Sequence, residues 1–113
     1  MAVSASYKAF VLEQLEALGT ITAKPMFGGV GLYHAGVFFG LMADDTVFFK
    51  VDDSNRADFE RAGSRPFRPY GEDMYAMSYY ELPADVLESR PVLCQWAEKA
   101  VAVARRSATA KGR

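Results

Sequence analysis

The chain has 113 residues, of which 50% are hydrophobic and 24% are charged. This length corresponds to one domain and excludes a two-domain enzyme, and the apolar content excludes a chain that is disordered throughout. Apolar runs such as residues 37–43 are far shorter than the roughly 20 residues that cross a bilayer, so we expect a soluble, cytoplasmic protein. The single cysteine, Cys94, cannot form an internal disulfide. We expect no metal site and no cofactor.

The net charge of −1 is unevenly distributed along the chain. Residues 99–113 hold five bases and no acid, whereas the other 98 residues hold eight bases and 14 acids. Nucleic-acid binding depends on Lys and Arg neutralising phosphates, so the acidic body is unfavourable for it. We expect one domain over residues 1–104 and a basic, disordered tail over residues 105–113. The weak nucleic-acid candidates in this tail are Arg105, Arg106, Lys111 and Arg113.

The hydrophobic periodicity predicts an α+β fold. Helical spacing predicts a first helix that begins at Ser4 or Ser6 and ends at Gly19. Beyond it, short β-branched and aromatic runs separated by turn residues predict an antiparallel β-meander. We place its strands at residues 22–27, 32–33, 37–43 and 46–51, with a further strand at 74–80.

Helices are predicted between and after these strands. A short helix at residues 54–62 follows Asp52 and Asp53, whose carboxylates suit a helix N-terminus. A connection covers residues 65–73. Pro83 opens a short helical turn, and Ser89 precedes a long C-terminal helix.

The strand at residues 37–43 has two apolar sides. Strict alternation places Val37, Phe39 and Leu41 on one face and Phe38, Gly40 and Met42 on the other. A second apolar face implies cover by further helices, by a second copy of the chain or by a ligand. These three alternatives remain open at this point.

No motif in the sequence defines an active site. The glycine cluster at residues 28–31 is followed by a strand, whereas phosphate-binding loops lead into a helix, so a bulge or bend is favoured. His34 is assigned to a surface turn, and Asp44 and Asp45 to a hairpin turn. Tyrosines beside lysines on a sheet can stack on the bases of a nucleic acid or can simply pack against one another. Because the body of the chain is acidic, packing or contact with a protein is favoured. We therefore expect a non-enzymatic protein.

An ordered set of segments resembles the N-terminal domain of the TfoX (Sxy) family. The set extends from about Tyr7 to Ala104. Its main segments are residues 25–33, 39–45, 49–52, 55–59, 66–67, 77–83, 85–88 and 96–97.

The resemblance implies an α+β domain with helices around a mainly antiparallel sheet, similar to secretion chaperones. Full-length members are regulators of competence for DNA uptake that act at promoters with the cyclic-AMP receptor protein. They carry a second, C-terminal domain, for which this chain has no room. The family brings no catalytic residues.

We therefore expect a regulatory module that contacts a protein partner or itself, as a homodimer through the second apolar face. The candidate contact or ligand residues are Lys24, Met26, Phe27, Gly28, Gly29, Tyr33, Lys50, Tyr79 and Tyr80. One alternative is a small-molecule or nucleotide site formed by residues 28–31 with Lys24 or Lys50. A weaker alternative is association with DNA through the basic tail.

Overall fold

A computed structural model of the chain describes residues 3–26, 29–67 and 78–111, and it contains one five-stranded antiparallel sheet. The strands lie side by side in chain order, so the predicted meander and the α+β class are confirmed. Part of the predicted strand at 74–80 lies outside the described residues. The strands are Ile21–Met26 (β1), Gly29–His34 (β2), Val37–Ala43 (β3), Thr46–Lys50 (β4) and Tyr79–Glu81 (β5).

Within the described ranges, four α-helices accompany the sheet. They are Ala5–Gln14 (α1), Arg56–Arg61 (α2), Ala84–Leu87 (α3) and Arg90–Lys111 (α4), and a 3-10 turn at Glu16–Leu18 follows α1. The hydroxyl of Ser4 accepts a hydrogen bond from the backbone N–H of Tyr7 at 3.2 Å and caps α1, which begins near the predicted position. Residues 105–111, which we expected in a tail, continue α4. None of the described helices combines the length and apolar character needed to cross a membrane.

Tight turns join the central strands. The β2–β3 turn has Ala35 at φ 50° and Gly36 at φ 82°, and the β3–β4 turn has Asp44 and Asp45 at φ 52° and 51°. Two consecutive residues with positive φ match the right-handed twist of a two-residue hairpin. The predicted placement of Asp44 and Asp45 in a turn is confirmed.

All four helices pack against the same side of the sheet, here called the helix face. The main core cluster joins Val11 of α1, Phe59 of α2, Val86 of α3 and Leu93 of α4 to buried strand residues such as Phe49. A second cluster on the opposite side contains strand and loop residues only. Among the described residues, the helices therefore cover one face of the sheet. Cover of the second apolar face by further helices, one of the three alternatives, is not found among these residues.

A β-bulge in β3 changes the predicted alternation of side chains. Leu32 pairs with Gly40 and Tyr33 pairs with Phe38, so Phe39 is an extra residue between two pairs. The bulge brings Phe39 and the following Gly40 to the same side, because the extra residue breaks the period of two. Phe39 and Met42 belong to the main core and the half-buried Val37 packs against it, while Leu41 lies on the other face. The prediction that residues 37, 39 and 41 share a face was therefore wrong at Leu41.

The bulge depends on a missing side chain at residue 40. A Cβ atom there would lie 2.8 Å from the carbonyl oxygen of Phe48 and 3.0 Å from Cδ1 of Phe49. Both distances are shorter than ordinary van der Waals contact. Gly40 thus allows β4 to approach closely while Phe39 fills the core.

Candidate functional site

Three aromatic rings form a row across the sheet on the side opposite the helices, here called the aromatic face. The rings of Tyr33 and Phe38 are 5.2 Å apart, and those of Phe38 and Tyr79 are 5.5 Å apart. Both separations and the tilted ring planes are typical of favourable aromatic pairs. Tyr33 and Phe38 are half-buried, whereas Tyr79 is buried. The row therefore presents its β2 and β3 end to solvent.

A lysine lies over the ring at each end of this row. The Nζ of Lys24 is 5.0 Å from the centre of the Tyr33 ring, and the Nζ of Lys50 is 4.9 Å from that of Tyr79. Both distances are within the range of cation–π attraction. A lysine side chain thus lies at each end of the row, on a chain whose residues 1–98 have an excess of acids.

Gly31 forms the floor beneath the exposed end of the row. A Cβ atom at this position would lie 2.7 Å from the Sδ atom of Met26, 3.1 Å from Phe38 and 3.2 Å from Tyr33. These three side chains converge there because the glycine leaves room. Together with the exposed Lys24, they form a continuous patch on β1, β2 and β3.

The remaining part of the aromatic face is more deeply buried. Phe67 packs on Phe48 with ring centres 4.7 Å apart, and the two join Leu41, Ala43 and Tyr79 in the second cluster. The backbone N–H of Phe67 donates to the carbonyl oxygen of Tyr79 at 2.6 Å, which attaches this loop beside β5. Solvent access is therefore greatest at the Lys24 end of the sheet.

The predicted candidates divide between the two faces. Lys24, Met26 and Tyr33 come together on the aromatic face, and Lys50 and Tyr79 lie on the same side. Tyr80 points to the helix face, where its ring lies 6.0 Å from that of Phe59. Phe27 and Gly28 lie outside the described residues.

Gly29 and Phe38 lie at positions that differ from those expected from the sequence. Gly29 is buried within β2 against the backbone of Met42, so it lies in the sheet rather than in an open loop. Phe38 joins the predicted tyrosines but was not among the candidates. Its only sequence signal is the pair of apolar sides in β3, which does not by itself distinguish the two faces.

His34 does not lie in a surface turn as predicted. It is the last residue of β2, is half-buried, and its Nε2 lies 3.0 Å from the carbonyl oxygen of Leu18, within hydrogen-bond distance. Its Nδ1 is buried and has no hydrogen-bond partner among the described residues. His34, Leu18, Glu98 and Arg105 line a shallow cleft of about 250 Å³ beside α4. The imidazole therefore helps to attach the 3-10 turn to the sheet.

Arg106 of α4 is tied to the loop before α2. Its guanidinium donates to Oδ2 of Asp52 at 3.1 Å and to the hydroxyl oxygen of Ser54 at 2.8 Å. The Ser54 hydroxyl, the Ser54 backbone N–H and Arg106 together hold the pKa of Asp52 below its usual value, with the hydroxyl as the largest cause. This predicted nucleic-acid candidate thus makes an intramolecular contact. Arg105 lines the cleft beside His34, and Lys111 and Arg113 have no described side chains.

The carboxylates before α2 organise a turn. Oδ1 of Asp52 accepts hydrogen bonds from the Ser54 backbone N–H at 2.8 Å and from its hydroxyl at 2.5 Å. Asn55, which is buried, accepts from the Asp52 backbone N–H at 2.9 Å and donates to the carbonyl oxygen of Lys50 at 3.1 Å. The buried amide of Asn55 therefore links the end of β4 to α2. Asp52 thus has a structural role in the turn, but its carboxylate does not cap α2 as predicted: the N-cap residue is Asn55, which makes no side-chain capping hydrogen bond.

Burial affects the ionisation of the aromatic row. Burial raises the pKa of Tyr79 to about 12, and the nearby Tyr33 contributes to the same shift. The phenol of Tyr79 is therefore neutral at physiological pH.

These features define an α+β domain with a five-stranded antiparallel sheet, helices on one face and an aromatic row on the other. The family model of the TfoX N-terminal domain matches residues 13–104, a range that includes all of β1 to β5. The chain therefore belongs to the TfoX N-terminal domain family, as the sequence resemblance indicated. Among curated proteins, none matches the chain.

Proposed function

We propose that this domain is a non-enzymatic, regulatory protein-interaction module whose contact surface is the aromatic face. One observation carries the proposal: the described helices pack on one side of the sheet, while half-buried aromatic side chains and an exposed lysine lie together on the other. Aromatic residues that are partly exposed and grouped on one surface are typical of protein contact sites.

The edges of the sheet offer less for a partner to bind than this face does. β1 is an edge strand and contains Pro25, which has no backbone N–H to donate to a further strand. At the other edge, β5 is bonded to residues 65–67 through the Glu81 N–H and the carbonyl of Arg65 at 3.0 Å. These features favour side-chain contacts on the face over extension of the sheet.

A small-molecule or nucleotide site at residues 28–31 stays a prediction. The same holds for DNA association through the basic residues near the C-terminus. The regulatory setting, and any role in competence, rest on the family relationship.

The proposal is tested by light scattering and lysine-reactive crosslinking at micromolar concentration, alone and with cell extract. We expect either a dimer or a crosslinked partner. Lys24→Glu and Phe38→Ser are each expected to abolish whichever association is observed. Phe10→Ser is the matched control, because Phe10 is 38% exposed on α1 and lies away from the sheet. A strict monomer that captures no partner would contradict the proposal.

A further inference from the structure

We propose that the shallow cleft beside α4 binds a small linear zwitterion, with an ammonium group at one end, a carboxylate at the other and an apolar chain between them. The cleft has a volume of about 250 Å³ and is lined by α4, the 3-10 turn and the last residue of β2. None of the three rings of the aromatic row lines it. A ligand bound there does not touch the row, so this site does not depend on the proposed protein contact.

Two opposite charges lie along the α4 wall of the cleft. Glu98 and Arg105 are seven residues apart, which is nearly two helical turns, so both lie on the same side of α4 with their Cα atoms about 10.5 Å apart. Both residues are exposed, and neither side chain makes an ion pair or hydrogen bond with another described residue. Each charged group is therefore available to a ligand group of opposite sign.

The other bases with described side chains on α4 are already engaged. Lys99, Arg106 and Arg90 lie 2.8, 3.1 and 3.9 Å from a carboxylate oxygen of another element. Glu98 is the one acid in the sequence of this helix. Within the described part of α4, the cleft thus holds the acid and the base that have no partner in the chain.

The surface between the two charges is apolar. Val101 is 6% exposed and Leu18 of the 3-10 turn is half-buried, so both present part of an apolar side chain to the cleft. Ala102 is exposed and lies one turn after Glu98. Its methyl group leaves room that a larger side chain would fill. An alkyl chain placed there removes apolar surface from water while its two ends reach the charges.

His34 forms a wall of the cleft and supplies no hydrogen bond to the ligand. Its Nε2 lies 3.0 Å from the carbonyl oxygen of Leu18, and a carbonyl can only accept, so this nitrogen carries the hydrogen and donates it there. Its Nδ1 is buried and out of reach of a ligand. The ring fixes the distance between the 3-10 turn and β2, which keeps the cleft open.

The spacing of the two charges sets the length of the ligand. An ammonium group at Glu98 and a carboxylate at Arg105 need a separation of about 10 Å, which an extended eight-carbon amino acid provides. The probe is therefore 8-aminooctanoate. Octanoate and octylamine are matched controls that carry one charge each, and 4-aminobutanoate is a zwitterion too short to reach both residues.

The test is a titration of the isotope-labelled full chain with these four compounds, followed by backbone amide resonances. We expect saturable shifts at Leu18, His34 and Ala102 with 8-aminooctanoate. The dissociation constant is expected to be on the order of 1 mM, because both ion pairs are open to solvent. The three control compounds bind at least fivefold more weakly, and binding of the probe weakens as salt is raised.

Charge exchange in the chain provides the sharpest variant. Glu98→Lys and Arg105→Glu each leave two like charges beside the cleft and weaken binding of the probe at least fivefold. The double variant exchanges the two charges and restores binding, because a linear zwitterion can lie in the opposite direction. Ala102→Leu fills the cleft and abolishes binding. All three positions are exposed, so the variants are expected to fold, and Glu60→Lys on the exposed side of α2 is the control that leaves binding unchanged.

Several results would overturn the proposal. One is equal binding of octanoate or octylamine and the probe, and another is the absence of saturable shifts at the three residues. If Glu60→Lys weakens binding as much as Glu98→Lys does, the net charge of the chain and not the cleft governs binding. A double variant that unfolds at the same temperature as the unmodified chain but does not recover binding would show that the two charges do not hold the ends of one ligand.

Discussion

The Nζ of Lys24 lies 5.0 Å from the centre of the Tyr33 ring, on the side of the sheet that faces away from the helices. Lys24 is exposed and Tyr33 is half-buried, so a cation and the face of a ring meet where solvent reaches the sheet. This pair joins β1 to β2 across a register in which Lys24 is opposite Gly31. It defines the part of the molecule on which the proposed protein contact depends.

The β-bulge predicts a strict requirement at residue 40. We expect Gly40→Ala to lower the free energy of unfolding by about 1–3 kcal/mol, because its Cβ would collide with the backbone of β4. Chemical denaturation measures the change. Gly36→Ala is the control. A Cβ atom at residue 36 would meet no atom within 4 Å, so this variant measures only the cost of a side chain at positive φ. A loss at Gly40 that does not exceed the loss at Gly36 would contradict the proposed close approach.

A buried amide links the first helix to the C-terminal helices. Gln14, which is 7% exposed, donates from Nε2 to the carbonyl oxygen of Leu87 at 2.9 Å and accepts from Nε of Arg90 at 2.9 Å. Gln14→Leu removes both hydrogen bonds and leaves the Leu87 carbonyl oxygen without this buried donor, and we expect a loss of about 1–3 kcal/mol in the free energy of unfolding. Gln95→Leu, on the exposed side of α4, is the matched control. Similar effects of the two changes would show that the Gln14 hydrogen bonds add no stability.

The turn before α2 predicts a loss of stability in acid. The folded-state pKa of Asp52 lies below its unfolded value, so its contribution is complete above the unfolded pKa of about 3.9 and is lost as the pH falls through the folded pKa. We expect Asp52→Asn to be less stable than the unmodified chain near neutral pH, with the difference shrinking in acid. Thermal unfolding between pH 2 and 7 measures it.

The same turn allows the causes of the shift to be ranked. The hydrogen bond from the Ser54 hydroxyl is the largest single cause that lowers the pKa of Asp52, and the Ser54 backbone N–H also contributes. We expect Ser54→Ala to remove more of the acid dependence than Arg106→Gln. The reverse order would show that the ion pair with α4 dominates.

Tyr79 predicts a loss of stability in alkali. Its pKa is raised to about 12 mainly by burial, so the folded state favours the neutral phenol. The contribution is present below the unfolded pKa of about 10 and is lost as the pH rises towards 12. Burial also raises the pKa of Tyr7, so more than one phenol is expected to ionise late, and ultraviolet titration is expected to lose one of these late ionisations in Tyr79→Phe. If the unmodified chain and Tyr79→Phe give the same titration curve above pH 10, apart from the absorbance of the missing phenol, the late ionisation does not belong to Tyr79.

Much of the fold could be predicted from the sequence because its turns are local. The capping by Ser4, the hairpin turn at Asp44 and Asp45, and the order of strands follow from residue types at short range. The faces of β3 could not be predicted, because the bulge at Phe39 depends on how Gly40 meets β4 in three dimensions. The alternation of side chains in the sequence does not reveal where a strand contains an extra residue.

The residues of the candidate site could be predicted better than their arrangement. Lys24, Met26 and Tyr33 were predicted and do come together, but Tyr80 follows the alternation of β5 to the helix face. His34 was misplaced because its partner, the Leu18 carbonyl, lies 16 residues away in sequence. Long-range partners of this kind have no signature in a single sequence.

Site-specific photo-crosslinking in cells can establish whether the aromatic face is a protein contact surface. A photoreactive phenylalanine analogue replaces Phe38 in one variant and Phe10 in another. We expect a discrete protein adduct from position 38 that Lys24→Glu removes, and no adduct from position 10. No adduct at position 38, or the same adducts from both positions, would contradict it.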